Sequence, residues 1–172
     1  KVLGAKFIRV PVFVDKVQTA FGIINGDSAD VIEYRKKIRA EEVAIFTDIQ
    51  VKHATMLDSK KPLSLSAQQA INAGSDGLIV TGKWTGDAPR LGDLEEVRIV
   101  AGNFPILVGS GATQENIKQL LEFADGVIVS TSLKSGHYLD ASVERNVKPY
   151  QAKIDVEKVK VFVNAVKSVI KK

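Results

Sequence analysis

Cysteine is absent from the 172-residue chain, which excludes disulfides, thiol nucleophiles and cysteine-ligated zinc or iron-sulfur centres. Histidine occurs only at His53 and His137, so no H-E-x-x-H zinc site is available. No run of about 18 apolar residues suggests a membrane span. The opening KVLGAKFIRV lacks the regions of a signal peptide, and a cytoplasmic protein is expected. Aromatics are scarce at 6% and the net charge is only +4, so the stacking residues and broad basic stripe of a nucleic-acid surface are missing. The densest basic cluster, Arg35, Lys36, Lys37 and Arg39, falls in a helical segment and reads as a solvated face.

What is present is a soluble composition, 45% hydrophobic and 26% charged, and a repeated pattern across residues 1–172 read as one domain. Five short apolar runs, AKFIRVPVF, EEVAIFTDIQVKH, DGLIVTG, PILVGSG and DGVIVSTS, read as strands. Pro11 has no amide hydrogen for a sheet ladder, so the first strand should end near it, with Phe7, Arg9, Pro11 and Phe13 on one side. VQTAFGIINGD reads as a loop, and a helix starts at about Ser28 with Val31, Ile32, Tyr34 and Ile38 on its apolar side. Ser64 or Ser66 is expected to cap the second helix, Thr113 the fourth and Asp155 the last, while Gly74 and Gly102 close helices. The last helix should pack through Val156, Val159, Phe162, Val166 and Ile170.

Strands alternating with helices predict an α/β protein with a covered parallel sheet. Barrels and open parallel sheets alike hold ligands at the carboxyl ends of their strands. There, Gly109, Ser110 and Gly111 allow close backbone approach, and Ser130, Thr131 and Ser132 end the next strand with hydroxyl and amide donors. In barrels, loops after the last two strands hold phosphate, so this pair is an expected phosphate site. Alternatively, the glycines serve only the turn and the hydroxyls only local backbone groups.

Asp48, Gln50 and Lys52 alternate along one strand and are expected on one face. Lys52 has three open roles: holding an anion, forming an imine with a carbonyl substrate, or pairing with Asp48. His53 follows as an acid-base candidate or a histidine held by a local hydrogen bond. Arg9 reads as a ligand-facing cation or as half of a buried pair with a carboxylate such as Asp48. The stretch GKWTGDAP reads as a surface cover, or as a lid in which Trp84 stacks on a base or sugar. Asp48, His53, Asp76 and Asp87 leave an oxygen-ligated magnesium open without supporting it, and no cofactor is expected.

The motifs FIRVPVF, DIQVKHA, GLIVTGKWTG, PILVGSGAT and DGVIVSTSLK, in that order and across essentially all 172 residues, resemble the BtpA family of TIM-barrel proteins. The resemblance implies a phosphate-binding type of barrel and, for cyanobacterial members, a part in photosystem I biogenesis. It singles out Arg9, Asp48, Lys52 and His53, then Gly82, Thr85 and Gly86, then Gly109, Ser110 and Gly111, and finally Thr131, Ser132 and Lys134. The chain departs from the family pattern with Pro11 in place of Asn, Gln50 in place of His, Lys83 and Trp84 in a loop of smaller residues, and Ser130 in place of Gly.

A barrel of this type has eight strands in about 250 residues. The resemblance aligns the five units here with strands four to eight of a partial (β/α)8 barrel, so an incomplete chain is expected. An isolated arc should expose sheet edges and an uncovered wall, which predicts association with further copies or chains. Two functions compete. In one, a phosphorylated small molecule binds at the strand mouth, with Asp48, Lys52 and His53 serving an isomerase or lyase. In the other, the chain is a non-catalytic assembly or biogenesis factor. A flavin or nicotinamide role ranks third and a nucleic-acid module fourth.

Overall fold

A computed structural model describes residues 2–135 and 153–170; His137 lies outside them. Five parallel strands form the main sheet, β1 (Phe7–Val10), β4 (Ala44–Asp48), β6 (Gly77–Val80), β7 (Ile106–Val108) and β8 (Gly126–Val127), adjacent in that order. Each pair is parallel and in unbroken register, from Phe7 opposite Ala44 to Val108 opposite Val127. Helices α1 (Ser28–Lys37), α2 (Leu63–Asn72), α3 (Leu91–Ala101), α4 (Ile117–Leu120) and α5 (Val156–Ile170) alternate with these strands. The result is a partial parallel β/α barrel of five strand-helix units.

Alternation along each strand divides the sheet into two faces. Ile45, Leu78, Val80, Ile106 and Val108 point toward the helices and are fully buried with Ala67, Leu94, Val97 and Ile117. The register puts Phe7, Arg9, Phe46, Asp48, Ile79 and Leu107 on the opposite, barrel-interior face. There Phe7 is 48% exposed and packs on Phe46 with ring centres 5.2 Å apart. β1 ends at Val10, immediately before Pro11. Phe13 does not share the side of Phe7, because the strand period stops there, and it is buried in the helix-side core instead.

The segment expected as a loop after β1 is a hairpin. β2 (Lys16–Thr19) pairs antiparallel with β3 (Gly22–Asn25) and with β5 (Thr55–Met56), making a separate three-stranded sheet. Its strands are short and part polar, and only Val17 is buried, so the apolar signal for a strand is faint.

Helix ends explain how the loops are placed. Asp27 caps α1 through the Asp30 amide at 3.0 Å, and Asp155 caps α5 through the amides of Glu157 and Lys158. α2 is not capped by Ser64 or Ser66. Pro62 occupies the cap position, and Glu96 of α3 reaches across to accept the Ser64 amide at 2.8 Å. Thr113 likewise caps no helix: its own amide donates to Asn116 Oδ1 at 2.8 Å, ahead of a four-residue α4. In α5, Phe162 is buried and Val159 and Val166 are half-buried, whereas Val156 is 64% exposed in the first turn. Tyr34 of α1 and Ile38, which follows its last residue as the C-cap, are also exposed, at 61% and 43%.

Candidate functional site at the strand mouth

Arg9 and Asp48 leave neighbouring strands on the interior face and meet in a two-pronged ion pair, Nε to Oδ2 at 2.7 Å and Nη2 to Oδ1 at 2.6 Å. Fork-to-fork geometry of this kind fixes orientation as well as charge. Burial pushes the Asp48 carboxyl up, against the hydrogen bonds and charge of Arg9 that pull it back, while the bond to Asp48 raises Arg9 further. Gly109 makes room for the pair: a side-chain carbon there would stand 2.5 Å from Ile79 Cγ2 and 3.2 Å from Arg9 Nη2.

Beyond Asp48 the strand does not continue. Gln50 has φ 49° and His53 φ 62°, so the chain passes twice through the left-handed region. Gln50 therefore does not share the face of Asp48. Its amide donates to Asp15 Oδ2 at 2.9 Å, and its side chain donates to the Lys61 carbonyl at 3.0 Å. Asp15, 4% exposed, also accepts from Lys61 Nζ at 2.7 Å and Ser66 Oγ at 2.8 Å. Sequence reasoning missed this supporting cluster. An aspartate set between apolar Val14 and Val17 was the available signal, and the distant partners Lys61 and Ser66 were not legible.

Lys52 is half-buried and forms no ion pair with Asp48, whose two oxygens are held by Arg9. Burial first, and then the charge of Arg9, lowers the Lys52 ammonium below its ordinary value, with Asp48 opposing. Burial and Lys52 together lower His53, which keeps its imidazole neutral near neutral pH. His53 Nε2 lies 2.9 Å from Thr85 Oγ1, its amide donates to the Lys83 carbonyl at 3.4 Å, and its ring stands 5.6 Å from that of Trp84. The loop after β4 is thus tied to the loop after β6, and a groove of about 840 Å³ opens along them.

The remaining expected residues divide between binding surface and scaffold. Ser110, 5% exposed, accepts the Gly82 amide at 2.8 Å and donates to the Asp87 carbonyl at 2.7 Å. Gly111 has φ 67°, and a side-chain carbon there would come within 2.1 Å of the Ala88 nitrogen, so two loops press together only because it is glycine. Gly86, φ 80°, turns the loop that carries Thr85. Ser132 donates to the Ala112 carbonyl at 2.7 Å and, with Thr113, Asp155 and Lys158, lines a separate cavity of about 360 Å³. Thr131 begins a 3-10 turn with Ser132 and Leu133, and Ser130 before it is exposed. The Lys134 carbonyl accepts from Lys158 Nζ at 2.7 Å. Of the expected residues, Lys52, His53 and Gly82 line the groove and Ser132 lines the separate cavity. The four groups considered for magnesium do not converge: Asp76 precedes β6 at the opposite end of the sheet, bound to Arg35 and the Ile45 amide.

Together these observations define a segment of a parallel β/α barrel with a charged mouth at the carboxyl ends of its strands. The fold agrees with solved structures that are only distantly similar in sequence. One titled "Native KDPGal structure" superimposes with a TM-score of 0.59 at 13% identity, covering 99% of this chain and 63% of that one. A Schiff base-forming fructose-1,6-bisphosphate aldolase gives 0.56 at 15% identity, covering 98% and 60%. In sequence, the BtpA family profile matches residues 1–168, and the chain belongs to the BtpA family. It is 38% identical over 143 residues to the Photosystem I biogenesis protein BtpA of Synechocystis, covering 83% of this chain and 49% of that protein. An uncharacterized protein of Archaeoglobus fulgidus is 34% identical over 147 residues, covering 86% and 58%. The chain thus spans about half the length of the curated relatives it matches. Among the described residues no helix is long and apolar enough to cross a membrane.

Proposed function

We propose that this chain belongs to a protein with an assembly or biogenesis role, of the kind named for its cyanobacterial relative, rather than to an enzyme that depends on Asp48 for proton transfer. One observation carries this reading: Asp48, Ser110 and Ser132, three of the polar groups expected at the mouth, are occupied by the protein itself. Both Asp48 oxygens are held by Arg9, the Ser110 hydroxyl is engaged as donor and acceptor, and the Ser132 hydroxyl is given to a backbone carbonyl. A general base must reach its substrate's proton, and a carboxylate held in a fork by arginine is poorly placed for that. The half-open interior wall is surface that further strands of a longer chain, a further copy or another chain would cover.

The test is deletion of the gene in its own host, followed by quantification of assembled complexes. The expected result is loss of one complex and its recovery on return of an Asp48→Asn variant. Turnover of a phosphorylated metabolite that disappears in Asp48→Asn would overturn the reading.

A second reading keeps a phosphorylated ligand at the mouth and a lyase or isomerase reaction, and Lys52 favours it. A half-buried amine with a lowered proton affinity holds more of its neutral, nucleophilic form than a free lysine does. Borohydride reduction in the presence of a phosphorylated ketose should then add the mass of the reduced adduct to wild-type protein and leave Lys52→Met unchanged. Equal labelling of both would remove this reading.

A further inference from the structure

We infer that the groove between the loop after β4 and the loop after β6 binds a phosphate ester, with its anionic group on Lys52 and Lys83 and its ring on Trp84. No glycine or hydroxyl residue of the loops after β7 and β8 lines this groove, and the inference does not depend on the assembly role.

The charges lining the groove balance in number but not in pairing. Lys52, Lys83 and Arg90 face it, as do Asp87, Asp93 and Glu96. Asp93 is held by Arg90 through two bonds of 2.7 and 3.0 Å, Glu96 accepts the Ser64 amide, and Asp87 accepts the Lys83 amide at 3.2 Å. Asp93 is ion-paired and the other two carboxylates each accept a backbone amide, whereas among the described residues neither Lys52 nor Lys83 has an ion-pair partner within 4.0 Å. Two uncommitted ammonium groups on the facing loops of one cavity favour an anion.

Trp84 supplies the second half of the site. It is 62% exposed, although a large indole in a folded chain is usually well covered. It stands beside the His53 ring, and the loop that carries it is pinned through Thr85 and the Lys83 carbonyl. An exposed indole held in place offers a flat apolar surface to a ring, at a small cost in ordering. A purine base and a sugar ring share this chemistry, since both present a face that stacks on indole, and the groove of about 840 Å³ has room for either with its phosphate.

Trp84 is the chain's one tryptophan, so the site carries its own reporter. Adenosine monophosphate, ribose 5-phosphate and inorganic phosphate are titrated separately, following indole emission and heat. At least one ester should saturate below about 1 mM, a modest affinity for a small ligand, with inorganic phosphate at least about tenfold weaker. Preference for the nucleotide assigns the ring to a base, and equal binding of the two esters assigns it to the sugar; both support the site. Lys52→Met and Lys83→Met should each weaken binding about tenfold, equivalent to roughly 1.4 kcal/mol, and Trp84→Ala should do the same by calorimetry. Lys118→Met, on the exposed side of α4, should leave binding unchanged. Circular dichroism identifies any variant that has lost its fold. Failure of both esters to saturate, inorganic phosphate binding as tightly as the esters, or undiminished binding by a folded Lys52→Met, Lys83→Met double variant would each overturn the inference.

Discussion

The two faces of the main sheet are built from the same strands, yet they are finished to different degrees. On the helix side Ile45, Leu78 and Ile106 have no exposure, and the chain's own helices supply every contact they need. On the interior side Phe7 remains 48% exposed and leans on Phe46, and the adjacent polar closure is the Arg9–Asp48 pair. The difference teaches that the helix layer carries the stability of this arc. The interior face carries the charged Arg9–Asp48 pair, in surface that further strands or a partner would cover.

The sharpest way to break that contrast is a pair of truncations. Leu78→Ala should cost about 2–5 kcal/mol in urea unfolding, as for large-to-small changes in a closed core. Phe46→Ala on the other face should cost clearly less, because its half-buried ring gives up less apolar area. Equal losses would mean the interior wall is covered in solution, and light scattering would then show association.

Gly111→Ala should come next, at about 2 kcal/mol from the left-handed backbone alone, with added cost from contact with Ala88. Because the two loops must separate, Trp84 emission should change with it. Asp48→Asn should cost about 1–2 kcal/mol. That is less than the loss of a wholly buried pair, since the Arg9 side chain is 31% exposed and water screens what remains.

The smallest expected effect is in pH dependence. The lowered Lys52 binds its proton less readily in the folded chain than in the unfolded one, so the penalty of its charge is fully present below its folded value. Between its folded value and the ordinary 10.5 the unfolded state binds more protons, and stability should rise with pH. Urea midpoints should show that rise in the wild type and a flatter line in Lys52→Met.

Alternation made the order of strands and helices legible, and it left a pair with Asp48 as one of two readings of Arg9. It failed where the backbone left the strand. Gln50 was placed beside Asp48 because period-two counting assumes extended geometry, and one left-handed residue turned it toward Asp15 instead. The hairpin of β2 and β3 escaped because its short strands bury only Val17. In sequence Ser66 reads as a helix cap and Ser110 as a phosphate-site residue. Only the fold shows that one holds Asp15 while the other fastens Gly82 to Asp87.

The buried carboxylate of Asp15 ties the hairpin, through its own backbone link to Gly26, to the Gln50 turn and to the start of α2. Such a junction makes three distant stretches of chain one cooperative unit for opening. In amide hydrogen exchange, Gly26 and Gln50 should then lose protection together. The loop bearing Lys52 and His53 would inherit its lifetime from a residue 37 positions upstream of Lys52.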